Sequence, residues 1–173
     1  MAYLEEYKAR ILSYTKGKDA LAMQRETAPL LAELIAGVPE SKLRERPHPD
    51  KWSVVEILAH LAEDELTSSW RYRQMIENDG LPLPGFDQDL WARLGDYQSW
   101  DASDALTMFR LLREANLKMF ARLTAEEWQR HGAHAERGAM TVRDLATQMA
   151  GHDRHHIEQI ERILGKTAKG SAA

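Results

Sequence analysis

The stretch GHDRHHIEQI, residues 151–160, decides how this chain is to be read. With His152 set at 0° and about 100° per residue, His156 falls at about 40° on a helical wheel. Leu145, Met149, Ile160 and Ile163 fall at about 20°, 60°, 80° and 20° on the same wheel, so the two imidazoles share the stripe that should be buried. Buried polar rings need partners, and a metal ion serves two imidazoles one helical turn apart. Thr141, followed three residues later by Asp144, caps this helix at its start, and Gly165 stops it after Leu164.

Outward from that helix the chain reads as helical almost throughout. A short N-terminal segment ends near Lys16–Gly17, and a first long helix follows from about Asp19 to Ile35, with Pro29 marking a kink or restart. Pro47 and Pro49 favour an extended connection. Ser53 with Glu56 forms a capping box, and Val54, Ile57, Leu58 and Leu61 continue at helical spacing toward Asn78. From Gly80 to Trp100 runs a connector too long for a simple bundle turn, a length that often covers or shapes a site. A third long helix spans about Ala102–Leu123, and Thr124 with Glu127 opens a short one containing Trp128. The β-branched alternation of strands is absent. These elements predict an all-α four-helix bundle with a long connector between the second and third long helices. It forms a single domain over residues 1–173, with a core at about 18–165 and a flexible tail at 166–173.

The 173 residues suffice for one hydrophobic core. A formal charge of −4, without a basic stripe, gives no electrostatic reason to expect nucleic acid. The absence of cysteine excludes disulfides, thiolate metal sites and a cysteine nucleophile. The acidic N-terminus does not have the order of a signal peptide, and no apolar run is long enough to span a membrane, so the expected location is cytoplasmic.

His60, in VVEILAHLAEDE, is the candidate third ligand beside His152 and His156. It sits at the boundary of its helix's apolar face, with Asp64 and Arg71 on the same side. Three imidazoles without a fourth protein ligand leave positions open for water or substrate, which is the catalytic arrangement. The expected cofactor is one divalent ion per chain, zinc, nickel, iron or manganese. Asp64 would orient an imidazole or a bound water, Arg71 would anchor an anionic substrate or pair internally, and His155 would line the pocket beside the ligands. These three are the candidate catalytic residues. Glu63 and Glu65 read as charged helix surface, His131 and His134 as a solvated loop, and His48 as a surface residue. Trp52, Phe109 and Phe120 read as core; Trp91, Tyr97 and Trp100 flank the connector, where packing or pocket lining are both open.

KWSVVEILAHLAEDE followed by Arg71–Arg73, the FDQDLWA connector, and GHDRHHIEQIERIL together resemble the DinB-like superfamily, and its YfiT branch in particular. The resemblance covers most of residues 45–164. It implies a four-helix bundle with a divalent metal on three histidines, carried by motif onto His60, His152 and His156. It also implies metal-dependent hydrolase or thiol-transferase chemistry, with a small-molecule partner such as bacillithiol, mycothiol or glutathione, and frequent homodimers. Two departures stand out: the acidic run Glu63–Glu65 replaces a more mixed sequence, and Gly151 stands where a bulky aromatic often precedes the ligand pair. The alternative reading is a non-enzymatic, metal-stabilised helical protein acting in stress-related binding or as a scaffold. A diiron bundle would need inward Glu-x-x-His motifs, which do not occur.

Overall fold

The computed structural model describes residues 2–134 and 138–169. Helix α1 (Ala2–Thr15) precedes α2 (Ala20–Ile35), a single turn α3 (Glu40–Leu43) and α4 (Val54–Glu77). Strand β1 (Leu81–Leu83), α5 (Gln88–Leu94) and a 3-10 turn (Tyr97–Ser99) occupy the connector. Then come α6 (Ala102–Phe120), α7 (Ala125–Gln129), β2 (His131–His134), β3 (Gly138–Thr141) and α8 (Val142–Leu164). Helices α2, α4, α6 and α8 form the four-helix bundle: α4 lies between α6 and α8, α2 closes the opposite side against the same pair, and α1 packs on α8.

The predicted caps set the helix starts. Ser53, Thr124 and Thr141 each accept from the backbone N–H three residues on, while Glu56, Glu127 and Asp144 return a carboxylate to the cap N–H. Each such cap contributes about 1 kcal/mol. α8 ends on Gly165 in the left-handed conformation, φ 62°. Pro29 lies within α2 without ending it; it is on the exposed side, where the carbonyl that loses its partner can be hydrated.

Two apolar clusters occupy the two ends of the bundle. One gathers Leu31, Leu34, Val54, Leu58, Phe109, Ile157 and Ile160; the other gathers Tyr72, Met75, Leu83, Phe120, Trp128 and Met149. On α4, α6 and α8 the residues between these clusters are buried polar ones, including His60, Glu65, Arg113, Asn116, His152 and Asp153. The bundle therefore carries a polar layer across its middle, and that layer holds the chemistry.

The sheet corrects the expectation that strands are absent. β1 pairs in parallel with β2, and β2 antiparallel with β3, in the register Leu83↔His134 and Ala133↔Ala139. The strands are three or four residues long, too short for alternation to announce them, and β1 pairs with a partner 51 positions away. Gly132 lets the strands close, because a Cβ there would run into the Leu83 side chain. The sheet pins the connector across the end of α4 and delivers Gly85, Phe86 and Asp87 to the cleft described below.

At the C-terminus Lys166 reaches the carbonyls of Leu34 and Ala36, and Lys169 N–H donates to Glu33. The part of the expected tail at 170–173 lies outside the described residues. Among the described residues, no helix is long and apolar enough to cross a membrane.

Candidate metal centre

α4 contributes His60, and α8 contributes His152 and His156, all three buried. Nε2 of His152 lies 3.2 Å from Nε2 of His60 and 3.1 Å from Nε2 of His156. One ligand atom from each of the three lies within 4.8 Å of the others. Hydrogen bonding among the rings does not satisfy this arrangement. His156 Nδ1 lies 2.6 Å from Gln159 Oε1, an oxygen that can only accept, so the proton is on Nδ1 and Nε2 presents its lone pair to the centre. His152 Nε2 can carry one proton or one lone pair, and it faces two ring nitrogens at once.

Protonation is not an escape either. Burial, reinforced by His152, pushes the His60 imidazole down to about 4. Burial and then the neighbouring His152 and His60 hold His156 well below its usual range. Three imidazoles thus bring their nitrogens together, and burial keeps those of His60 and His156 from taking up a proton. A tetrahedral ion with metal–nitrogen bonds of about 2.0–2.1 Å needs nitrogens about 3.3 Å apart, close to the two short separations here. The donor set and its spacing fit a divalent ion held by imidazole nitrogens.

The surroundings orient the rings. Asp64 Oδ2 stands 3.4 Å from His152 Nδ1, on the side away from the centre, as expected for a carboxylate that fixes a ligand imidazole. The Trp52 ring lies 4.9 Å from that of His60, so this residue forms a wall of the site as well as packing against the core. His155 is buried and does not join the three; its ring meets Tyr7 edge-on at 5.6 Å and lies 5.3 Å from the ring of His156.

The three histidines open into a cleft of about 1320 Å³. Asp64, Arg71 and His155 all line it. Arg71 is held there by the Pro84 carbonyl at 2.6 Å and by the Phe86 ring, 5.6 Å below its guanidinium. His134, expected in a solvated loop, is instead buried on β2 and lines the same cleft. Its exposure depends on strand pairing that the local sequence does not reveal. His131 is half-exposed and bonds Asp79, and His48 is exposed beside Asp50, as expected for a surface residue. Gln159 was legible in principle, since it stands three residues after His156 on the same helix.

Trp91, Tyr97 and Trp100 pack within the connector and are not in the lining of the cleft. Trp91 stacks on Phe86, Trp100 Nε1 donates to the Gly95 carbonyl, and Tyr97 donates to Glu63 at 2.6 Å.

The acidic run corrects the surface reading of Glu63 and Glu65. At about 100° per residue, three consecutive carboxylates point in three directions. Glu63 accepts from Tyr97, Asp64 faces His152, and Glu65, fully buried, pairs with Arg113 through two bonds at 2.8 and 3.0 Å. Arg113 also reaches Asp153 at 2.6 Å, and Asp153 accepts from Thr27 at 2.9 Å. Burial works against the charge on Arg113, but Asp153 and Glu65 more than offset it and raise its pKa above the usual value.

Gly151 has an equally concrete reason. A Cβ at this position would overlap the carbonyl of Ile11, so an aromatic here would expel α1 from α8.

A four-helix bundle with three inward imidazoles lining an open cleft has a donor set that could hold a metal ion. This chain belongs to the DinB superfamily, whose family model matches residues 23–160. It is 24% identical over 161 residues to "Putative metal-dependent hydrolase YfiT" of Bacillus subtilis, covering 91% of this chain and 90% of that one. It is 22% identical over 138 residues to "Putative metal-dependent hydrolase OB0413" of Oceanobacillus iheyensis, covering 80% and 79%. The solved structure of Bacillus subtilis YfiT superposes with a TM-score of 0.77 at 20% identity, over 86% of this chain and 87% of that one, which establishes the shared four-helix bundle.

Proposed function

We propose that this chain is a metal-dependent enzyme that holds one divalent ion on His60, His152 and His156 and activates a nucleophile, water or a thiol, toward a small molecule bound in the cleft. The observation that carries the reading is the convergence of three buried imidazoles whose ligand atoms lie within 4.8 Å of one another in the lining of an open cleft. Among the described residues the cluster has three members and no carboxylate, which leaves coordination positions for nucleophile or substrate. When bound, such an ion lowers the pKa of a coordinated water to about 7 and ionises a coordinated thiol.

The protein's own groups do the remaining work. Gln159 and Asp64 keep two imidazoles in the tautomer and orientation that face the centre. Arg71, fixed by Pro84 and Phe86, offers a cation to an anionic group on the substrate. The names carried by the relatives support hydrolysis, with water as the nucleophile; thiol transfer uses the same open positions. A metal-stabilised scaffold would have no use for a cleft reaching the ligands.

Elemental analysis of protein purified without an affinity tag tests the reading. About one equivalent of ion per chain, absent from His152→Ala, is the expected result, followed by ion-dependent turnover in ester, amide and thiol–electrophile assays. Protein that holds no ion and takes up none on reconstitution would overturn it.

A further inference from the structure

Arg113 is a buried charge that the metal-dependent reading does not use. It projects from α6 into the middle layer and is 2% exposed, and neither it nor its partners Glu65 and Asp153 line the cleft. We propose that Arg113 is a positioning residue: its guanidinium sets the rotation and slide of α4 against α8, and so sets the separation of His60 from His152 and His156. Its purpose rests on the metal-dependent reading, because three donors hold one ion only at a matching spacing.

A guanidinium carries its N–H groups in a rigid planar fork, and here every one of them is engaged. Nε and Nη2 donate to the two oxygens of Glu65 on α4, at 3.0 and 2.8 Å. Nη1 and Nη2 donate to the two oxygens of Asp153 on α8, at 2.6 and 3.2 Å. The remaining N–H, on Nη1, meets the Gln24 carbonyl of α2 at 3.2 Å. One side chain of α6 therefore ties the other three helices of the bundle. Asn116 donates to Glu65 at 2.7 Å and Thr27 to Asp153 at 2.9 Å, so each carboxylate is held by a second group as well.

Both carboxylates adjoin residues of the candidate centre. Asp153 follows His152, and the two side chains leave α8 about 100° apart. That angle belongs to the helix, so holding Asp153 on Arg113 holds His152 toward the centre. Glu65 follows Asp64, which faces His152, and stands about 7.5 Å beyond His60 along the axis of α4. His60 and His152 are 92 residues apart in the chain, so the 3.2 Å between their nitrogens depends on how α4 and α8 lie against each other. The apolar clusters at the two ends hold the helices together, but apolar burial is non-directional. A rotation of about 10° swings an atom at the helix rim, about 5–6 Å from the axis, by about 1 Å, beyond the roughly 0.5 Å within which a functional constellation must be held. The two bidentate pairs are directional and resist that rotation. A buried ion pair adds little net stability over apolar residues of the same size, and its best-attested use is to fix register.

Cobalt(II) is the probe, because its visible absorption bands report ligand geometry, and zinc affinity is measured beside it. A third readout, in metal-free protein, is the distance distribution between spin labels on Trp70→Cys and Arg162→Cys, placed together in a chain with no cysteine of its own. Glu65→Leu, Arg113→Met and Asp153→Leu combined remove the clamp without stranding a charge, so the fold should persist. This triple variant should bind zinc at least tenfold more weakly, shift the cobalt bands and broaden the label distribution. Arg113→Lys, which keeps the charge and loses the planar fork, should shift the cobalt bands in the same direction. Leu34→Ala, a cavity in an end cluster away from the cleft, should lower stability and leave all three readouts as in wild type. Wild-type cobalt bands and zinc affinity in the triple variant would overturn the positioning role and leave the metal reading intact. Wild-type protein that takes up neither ion would sink the metal reading; a broadened label distribution in the triple variant would then still uphold Arg113 as the residue that sets α4 against α8.

Discussion

His152 and Asp153 are adjacent in the chain, as are Asp64 and Glu65, yet each pair divides between two buried polar clusters of opposite kind. On one side of the middle layer, Arg113 is enclosed by Glu65 and Asp153, and Thr27 and Asn116 complete the carboxylates' bonds. Every strong group there meets its complement. On the other side, His60, His152 and His156 turn like nitrogens toward one another. The first cluster is finished by the chain itself, and the second presents a donor set that could hold a metal ion. Burial alone does not mark a functional site; buried groups of matching polarity that face each other do.

The largest effect should come from breaking the finished cluster. Arg113→Met leaves Glu65 and Asp153 buried without their cation and should cost about 3–5 kcal/mol in urea unfolding of the metal-free protein. A loss under 1 kcal/mol would show that the two carboxylates escape to water and that the cluster is not a structural centre.

The unfinished cluster should behave in the opposite way. His152→Leu in the metal-free protein should stay within about 1 kcal/mol of wild type, since the Asp64 carboxylate that loses its facing ring lines the open cleft. What it should lose is the gain from metal, about 2.7 kcal/mol at an ion concentration 100-fold above Kd. Thermal melts with and without zinc measure both; an equal zinc-induced shift in the variant would remove His152 from the ligand set.

Acid offers a test without a ligand substitution. His60 is held at about 4 in the fold and titrates at about 6.5 when unfolded. The unfolded chain therefore binds more protons between these values, so the imidazole cluster destabilises the fold as pH falls from about 6.5 to about 4. Metal-free stability measured by circular dichroism across this window should decline, and His60→Gln should flatten the decline. An unchanged slope in that variant would mean that the ring is open to solvent.

The smallest effect belongs to the border between the clusters. Tyr97→Phe removes the bond to Glu63 and should cost about 1 kcal/mol without changing metal stoichiometry. A change in stoichiometry would show that the 3-10 turn supports the ligands and does more than tether the connector.

The three buried histidines were legible because α8 and α4 are long and their periodicity is unambiguous: His152, His156 and His60 each stand on or beside an inward stripe. The caps were legible for the same local reason, since Ser53, Thr124 and Thr141 act within one turn. Glu65 was misread because a buried salt bridge and a solvated surface charge look alike until the partner is known, and Arg113 lies 48 residues away. His134 was misread because its strand exists only through pairing with Leu81–Leu83 and Gly138–Thr141.

The sequence by itself determined the long helices, their starting points and the inward direction of three imidazoles. Those follow from a period of 3.6 residues and from bonds that span three or four positions. Only the tertiary structure decided that the three nitrogens meet, that Glu65 and Asp153 close on Arg113, and that Gly151 admits α1 to the wall of the cleft. These depend on which helix faces which, and that is set by packing across the bundle rather than by any local run of residues.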